Sequence, residues 1–236
     1  MSTPSLARVR PIAGPVSLWQ TSVGKKYVMA VTGLIWFLFL VLHLWGNLKI
    51  YYGADHLNAY AVFLRNVGAP FFGYSQLLWL TRILLAPAFI VHAIAAVQVK
   101  LQDSAGRPRG YLARKNLQST FASRTMIWGG LVIVFFLIYH LLDFTIGTVN
   151  PSFEPGNVYH NVVASFSLWP VSAFYILAMI AVGFHLYHGI WSTFQTLGLN
   201  NRRTNRWVRN VATFFALALT IGNISIPVAV LTGIVK

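Results

Sequence analysis

A chain of 236 residues that is 56% hydrophobic and only 9% charged, with a mean hydropathy of +0.62, has too little polar surface for a soluble domain, where about a quarter of residues are charged. It contains no cysteine, which excludes a disulfide framework, cysteine-ligated iron–sulfur clusters and cysteine-based zinc sites. Eighteen Lys and Arg face four acids, a net charge of +14; on so apolar a chain this points to cytoplasmic loops, anionic lipid and a docking face for an acidic partner rather than to nucleic acid.

Residues 1–20 hold two Arg and three Pro without an apolar stretch of secretory type, so the N-terminus is expected to be retained. Five apolar segments then reach the roughly 20 residues a membrane helix needs: 27–48, 75–99, 125–147, 170–195 and 212–234. The first connection contains "DHLNAYAVFL", which reads as a short helix lying across the membrane surface. Trp19, Trp45, Trp79, Trp128, Trp169, Trp191 and Trp207 fall near span ends, as an interfacial aromatic belt requires. No internal repeat or second domain is visible, and residues 1–236 read as one all-α membrane domain of five transmembrane helices.

Fourteen of the eighteen basic residues lie in three regions. Arg8, Arg10, Lys25 and Lys26 precede the first span. Lys100, Arg107, Arg109, Arg114, Lys115 and Arg124 follow the second, and Arg202, Arg203, Arg206 and Arg209 follow the fourth. The third connection has no Lys or Arg, and the first has only Lys49 and Arg65. Positive charge stays inside, so the N-terminus is expected in the cytoplasm and the C-terminus outside.

Five of the seven histidines, His43, His92, His140, His185 and His188, fall within spans, and the first four spans each carry at least one. Because direction alternates, position converts to depth. His43 sits about five residues past the middle of its outward-running span, roughly 8 Å at 1.5 Å per residue, and His140 also falls in an outer half. His92 and His185 fall in inner halves. Two tiers result, His43 with His140 and His92 with His185, on the order of 10–15 Å apart. Two imidazole pairs from facing helices are what two six-coordinate b haems require. The first four helices are therefore expected to bundle around two stacked haems, with Gly46, Ala93, Ala95, Ala96, Gly183 and Gly189 giving the porphyrins room. A lone intramembrane His is often a helix-to-helix hydrogen-bonding group. A proton-relay transporter would need intramembrane acids, and of Asp55, Asp103, Asp143 and Glu154 only Asp143 approaches a span. Depth does not choose between His185 and His188, which differ by about 4.5 Å along the axis.

The stretches "SVGKKYVMAVTGLIWFLFLVLHLWGNL", "HLNAYAVFL" and "FHLYHGIWSTFQTLG", with the span count and histidine spacing, resemble the five-span, two-haem cytochrome b anchor of succinate:quinone oxidoreductases. The resemblance implies that His43 and His140 ligate the outer, distal haem and His92 and His185 the inner, proximal one. The fourth-span ligand in that family precedes a glycine by four residues, which selects His185 with Gly189. His188, the alternative ligand, is then a group near a propionate or the quinone. The resemblance further implies a flavoprotein subunit with FAD and an iron–sulfur subunit as partners, the latter on the basic cytoplasmic face. It implies membership of the tricarboxylic acid cycle enzyme succinate dehydrogenase in a bacterial cytoplasmic membrane, menaquinone or another quinone as electron acceptor, and a higher oligomer of the complex as an option. This chain carries no dicarboxylate site.

Quinone reduction needs polar donors in an apolar pocket. Trp19, Ser22 and Lys25 are the inner candidates, and His56, Asn58 and Tyr60 the outer ones. Arg82 and Arg124 are candidate propionate partners; His56 and His160 otherwise read as interfacial. Two other classes stay open: a cytochrome b of a hydrogenase or formate dehydrogenase, and a haem-free transporter.

Overall fold

The computed structural model describes residues 19–106 and 121–236. The orientation charges Arg8, Arg10, Arg107, Arg109, Arg114 and Lys115, and most of the N-terminal segment, lie outside the described residues. Within them the fold is all-helical: α1 Ser22–Asn47, α2 Ala54–Asn66, α3 Gln76–Ala105, α4 Phe121–Leu141, α5 Val158–Phe166, α6 Trp169–Thr196 and α7 Asn205–Leu231. Five segments are long and apolar enough to cross a membrane: Ser22–Tyr52, Gln76–Ala105, Phe121–Ile146, Trp169–Thr196 and Asn205–Leu231. A helix satisfies its backbone groups internally, which hydrocarbon demands of any segment crossing it. Pro87 in α3 and Pro227 in α7 lie inside spans, and each lacks the N–H that would pair with the carbonyl four residues back.

Local chemistry sets the ends. The Thr21 hydroxyl accepts from Gly24 N at 2.9 Å and starts α1. Asn157 accepts from His160 N at 3.2 Å and starts α5, and Pro170 sits in the first turn of α6. α4 does not stop at Leu141 but widens into a π turn, Leu142–Ile146, closed by Gly147 at φ +86. Single π turns often mark functional positions in helices, and this one carries Asp143.

The helices extend beyond the apolar windows. α3 continues to Ala105 rather than ending near 99, and α7 begins at Asn205 rather than near 212. Polar turns such as "NRWVRN" keep helical hydrogen bonds outside lipid, where a hydropathy window does not register them. The surface helix read from "DHLNAYAVFL" is α2. α5 was not anticipated, although Asn157 followed by apolar Val158, Val162, Val163 and Phe166 carries its signal.

α6 is the central element, packed on α1, α4 and α7, while α1 also packs on α3. One core joins Leu44 of α1, Leu186, Ile190 and Trp191 of α6, and Val208, Ala212, Ala216 and Leu219 of α7. A second, at the other end, joins Ile50, Leu57, Phe166, Tyr175, Ile226 and Val230. Two glycines expected to make room for a macrocycle are instead used for helix contact. A Cβ on Gly183 would collide with the Thr220 hydroxyl, and one on Gly46 would lie 2.6 Å from the Tyr60 ring. Trp191 also departs from the belt reading. It is 8% exposed, donates its indole N–H to Asn205 Oδ1 at 3.0 Å and carries the Arg209 guanidinium 4.6 Å over its ring. Trp45, Trp79, Trp128, Trp169 and Trp207 are exposed.

Because α6 and α7 touch through Gly183, Gly183→Val should force the two apart. Overpacking of this kind costs about 1–3 kcal/mol. The expected result is a lower thermal midpoint of the detergent-solubilised protein, largely restored by Thr220→Ala in the same chain.

Candidate functional site

Intramembrane imidazoles occur in two facing pairs. The His43 ring of α1 and the His140 ring of α4 have centroids 5.9 Å apart. The His92 ring of α3 and the His185 ring of α6 are 6.2 Å apart. Tyr175, which touches His140, and His185 both lie on α6, about ten residues or roughly 15 Å apart along the axis. The pairs therefore stand at two levels of the bundle. His188 is not part of either pair; its ring lies against Trp191 at 6.2 Å.

The groups behind the rings decide which nitrogen is available. His92 Nδ1 is 3.1 Å from the Met29 carbonyl and 3.1 Å from Thr32 Oγ1. The carbonyl can only accept, and the Thr32 hydroxyl gives its own proton to Val28 O at 2.7 Å. Nδ1 must therefore carry the hydrogen, leaving the Nε2 lone pair free to hold a metal. This is the usual arrangement behind a ligating imidazole. Gly33 permits it, since a Cβ there would sit 3.3 Å from His92 Cε1. His140 is held from behind by the Tyr175 hydroxyl, 3.5 Å from Nδ1. His43 stacks on Phe39 at 5.1 Å. His185 Nδ1 is buried without a hydrogen-bond partner among the described residues.

These residues fit a haem. Each pair sets two imidazoles from different helices about 6 Å apart between ring centres, the donor type and number that a six-coordinate haem iron takes from a protein. α3 and α4 meet only marginally, so the side of the bundle between them is not filled by helix packing. A cavity of about 220 Å³ runs beside His185 between α4 and α6, lined by Gly129, Ala181, Leu177 and Phe184 among others. Cβ atoms added at Gly129, Gly130 or Gly189 would meet open space. Among the described residues no cluster of three or more His, Cys, Asp or Glu could hold a metal ion.

The remaining predicted residues separate by end. At the foot of α1, Lys25 is 4% exposed, Trp19 half-buried and Ser22 exposed. Gln102 of α3 donates to Gln20 O there at 3.4 Å. Arg82 is exposed over Trp79 at 4.9 Å, and Arg124 is exposed. At the far end of the bundle, Asn58 is committed to structure. It accepts from Tyr159 N at 3.0 Å and donates to Asn157 Oδ1 at 3.0 Å, joining α2 to α5. His160 holds Ser152 O at 3.0 Å and lies 3.5 Å from Glu154. His56 instead lines an opening of about 400 Å³ with Trp45, Leu48, Lys49 and Tyr52. The Lys49 ammonium lies over the rings of Trp45 at 4.5 Å and Tyr60 at 5.1 Å. Burial raises the Tyr60 phenol above its ordinary value, so it stays a protonated donor at neutral pH.

Asn58→Ala would remove both bonds between α2 and α5 and leave the Tyr159 amide unpaired, at a cost of about 1–3 kcal/mol. A lowered thermal midpoint in detergent is the expected readout.

Residues 110–223, just under half of the chain, match the model of the family described as succinate dehydrogenase/fumarate reductase transmembrane subunit. The matched stretch takes in α4, α5, α6 and most of α7, and with them His140, His185 and His188. No curated protein and no solved structure matches the chain.

Proposed function

We propose that this chain, a multi-pass transmembrane subunit of the succinate dehydrogenase/fumarate reductase family, holds two b haems and passes electrons from an iron–sulfur subunit to a membrane quinone. The observation that carries this reading is the pair of imidazole pairs, 5.9 and 6.2 Å between rings, at two levels. His43 and His140 would hold one haem, His92 and His185 the other. When bound, each haem takes up and gives back one electron at its iron. The protein's part would be to hold the iron through His43 and His140 at one level and His92 and His185 at the other, and to keep the surroundings apolar. His92 is presented through Nε2 by Met29 and Thr32, while His188 is left to its contact with Trp191.

The flavoprotein, carrying FAD, and the iron–sulfur subunit would dock at the end bearing Lys100, Arg202, Arg203 and Arg206, all exposed. That end would face the cytoplasm of a bacterial cell, with the C-terminus outside. Succinate oxidation would then take place in the soluble subunits. The family match favours this reading over the cytochrome b of a hydrogenase or formate dehydrogenase.

For the quinone, menaquinone by the resemblance, the first placement is at the foot of α1, where Trp19, Ser22 and the buried Lys25 bring polar atoms beside the docking face. A second placement is favoured by volume: the 400 Å³ opening beside Lys49, Tyr52 and His56 at the other end.

Purified protein, assayed as the pyridine haemochrome, should contain two b haems per chain. His43→Ala or His140→Ala should remove one haem and leave the other; His92→Ala or His185→Ala should do the reverse. His188→Ala should keep both. A haem-free native preparation would overturn the proposal and return the haem-free transporter to the front. For the quinone, Lys25→Ala in the intact complex should raise the KM for quinone several-fold with both haems retained. An unchanged KM there, with a raised KM in Lys49→Ala, would move the site to the other end.

A further inference from the structure

Of the four acids in the chain, only Asp143 is buried, at 1% exposure. It sits in the π turn that closes α4, three residues after His140. A carboxyl group in that position is costly unless its oxygens are occupied. Here Oδ2 accepts the Ser165 hydroxyl of α5 at 2.7 Å and the Tyr175 hydroxyl of α6 at 2.9 Å, and the Asn150 side chain also reaches the carboxyl. Ser165 is 3% exposed and Tyr175 5%.

The direction of these bonds matters for His140. Tyr175 spends its single proton on Asp143, so only lone pairs of the phenol oxygen face His140 Nδ1 at 3.5 Å. The bond can form only if Nδ1 carries the hydrogen, which leaves the Nε2 lone pair directed away from Tyr175. The two levels of the bundle are thus supported differently. Behind His92 stands a neutral backbone carbonyl, Met29 O. Behind His140 stands a phenol already polarised by a carboxylate. A hydrogen-bond acceptor behind an imidazole makes its other nitrogen a stronger electron donor, and a charged chain does so more strongly than a carbonyl.

We propose that Tyr175 and Asp143 are positioning residues for His140: they fix its tautomer and ring orientation and, through the Tyr175 hydroxyl, favour the oxidised state of the haem held by His43 and His140. The proposal rests on the two-haem reading above. Phe144, Phe136 and Tyr139 pack around the same rings and supply no acceptor aimed at Nδ1. Tyr175→Phe keeps that aromatic packing and deletes only the acceptor. Asp143→Asn keeps the shape and an amide oxygen that can still accept from Tyr175 and Ser165, and deletes the charge.

The test is a redox titration of the haem absorbance of the purified complex, with low-temperature electron paramagnetic resonance of the oxidised haems as a second readout. The expected result for Tyr175→Phe is a shift of about tenfold toward reduction in one haem, or 59 mV for a one-electron couple, together with a moved low-spin signal. The component lost in His43→Ala should be the one that moves, and the other should stay fixed. Asp143→Asn should move the same component in the same direction by less. If Tyr175→Phe fails to retain that haem, Asp143→Asn decides. Two haems with both potentials and both signals unchanged in the decisive variant would overturn the role given to Tyr175 and Asp143 and leave the haem reading standing. A wild-type protein without haem would overturn that reading itself.

Discussion

An imidazole in hydrocarbon is costly to leave unpartnered, and this chain puts five of them into segments able to span. Four face one another across helix pairs, and those pairings link α1 with α4 and α3 with α6. Neither α4 nor α3 packs closely on the other, so the histidine pairs bridge a part of the bundle that ordinary side-chain interdigitation leaves loose. The tight contacts lie elsewhere, where Gly183 meets Thr220 and where Gly222 meets Leu44. Helix-to-helix contact in lipid relies on such small residues because lipid tails are as apolar as leucine. α6 and α7 form the closest-packed helix pair, while each imidazole pair joins helices, α1 with α4 and α3 with α6, that make few contacts with one another.

The two ends of the bundle are finished differently. At the end where α1 stops, α2 and α5 fold over the spans, and a chain of amides holds them: Asn58, Asn157, Asn161 and Asn150. Asn161 alone accepts from Glu154 N at 2.7 Å and donates to Glu154 O at 2.9 Å. Asn150, 4% exposed, donates to Asn161 O at 3.1 Å. This cover lets the Asp143 carboxyl sit buried beside the His43–His140 pair, with Ser165 and Tyr175 donating to it. The opposite end has no comparable lid among the described residues. It carries exposed arginines and a buried Lys25, a surface suited to an acidic soluble partner and to anionic lipid.

Large apolar side chains remain exposed along every span, Leu38, Ile83, Phe135, Leu177 and Phe214 among them. On a soluble protein such surface would mark an interface or an aggregation hazard. On five segments long and apolar enough to span, it is surface suited to lipid.

The amino-acid sequence by itself determined that the described residues are helical, that five segments among them are long and apolar enough to span, and how far along its helix each histidine stands, because a helix rises 1.5 Å per residue whatever surrounds it. The short α2 was legible too, from the stretch "DHLNAYAVFL" in the first connection. Azimuth and long-range bonding were not. His185 and His188 lie one turn apart, and only the way α6 is set in the bundle turns the first toward His92 and the second toward Trp191. Gly46 and Gly183 read as space for a macrocycle, but the approach of α2 and α7 fills that space with Tyr60 and Thr220. Asp143 read as an acid near a span end. The π turn and the arrival of α5 and α6 make it a buried acceptor for Ser165 and Tyr175. Those contacts join residues 22 and 32 positions apart, so no local pattern encodes them, and only the packed bundle decides what stands behind each ring.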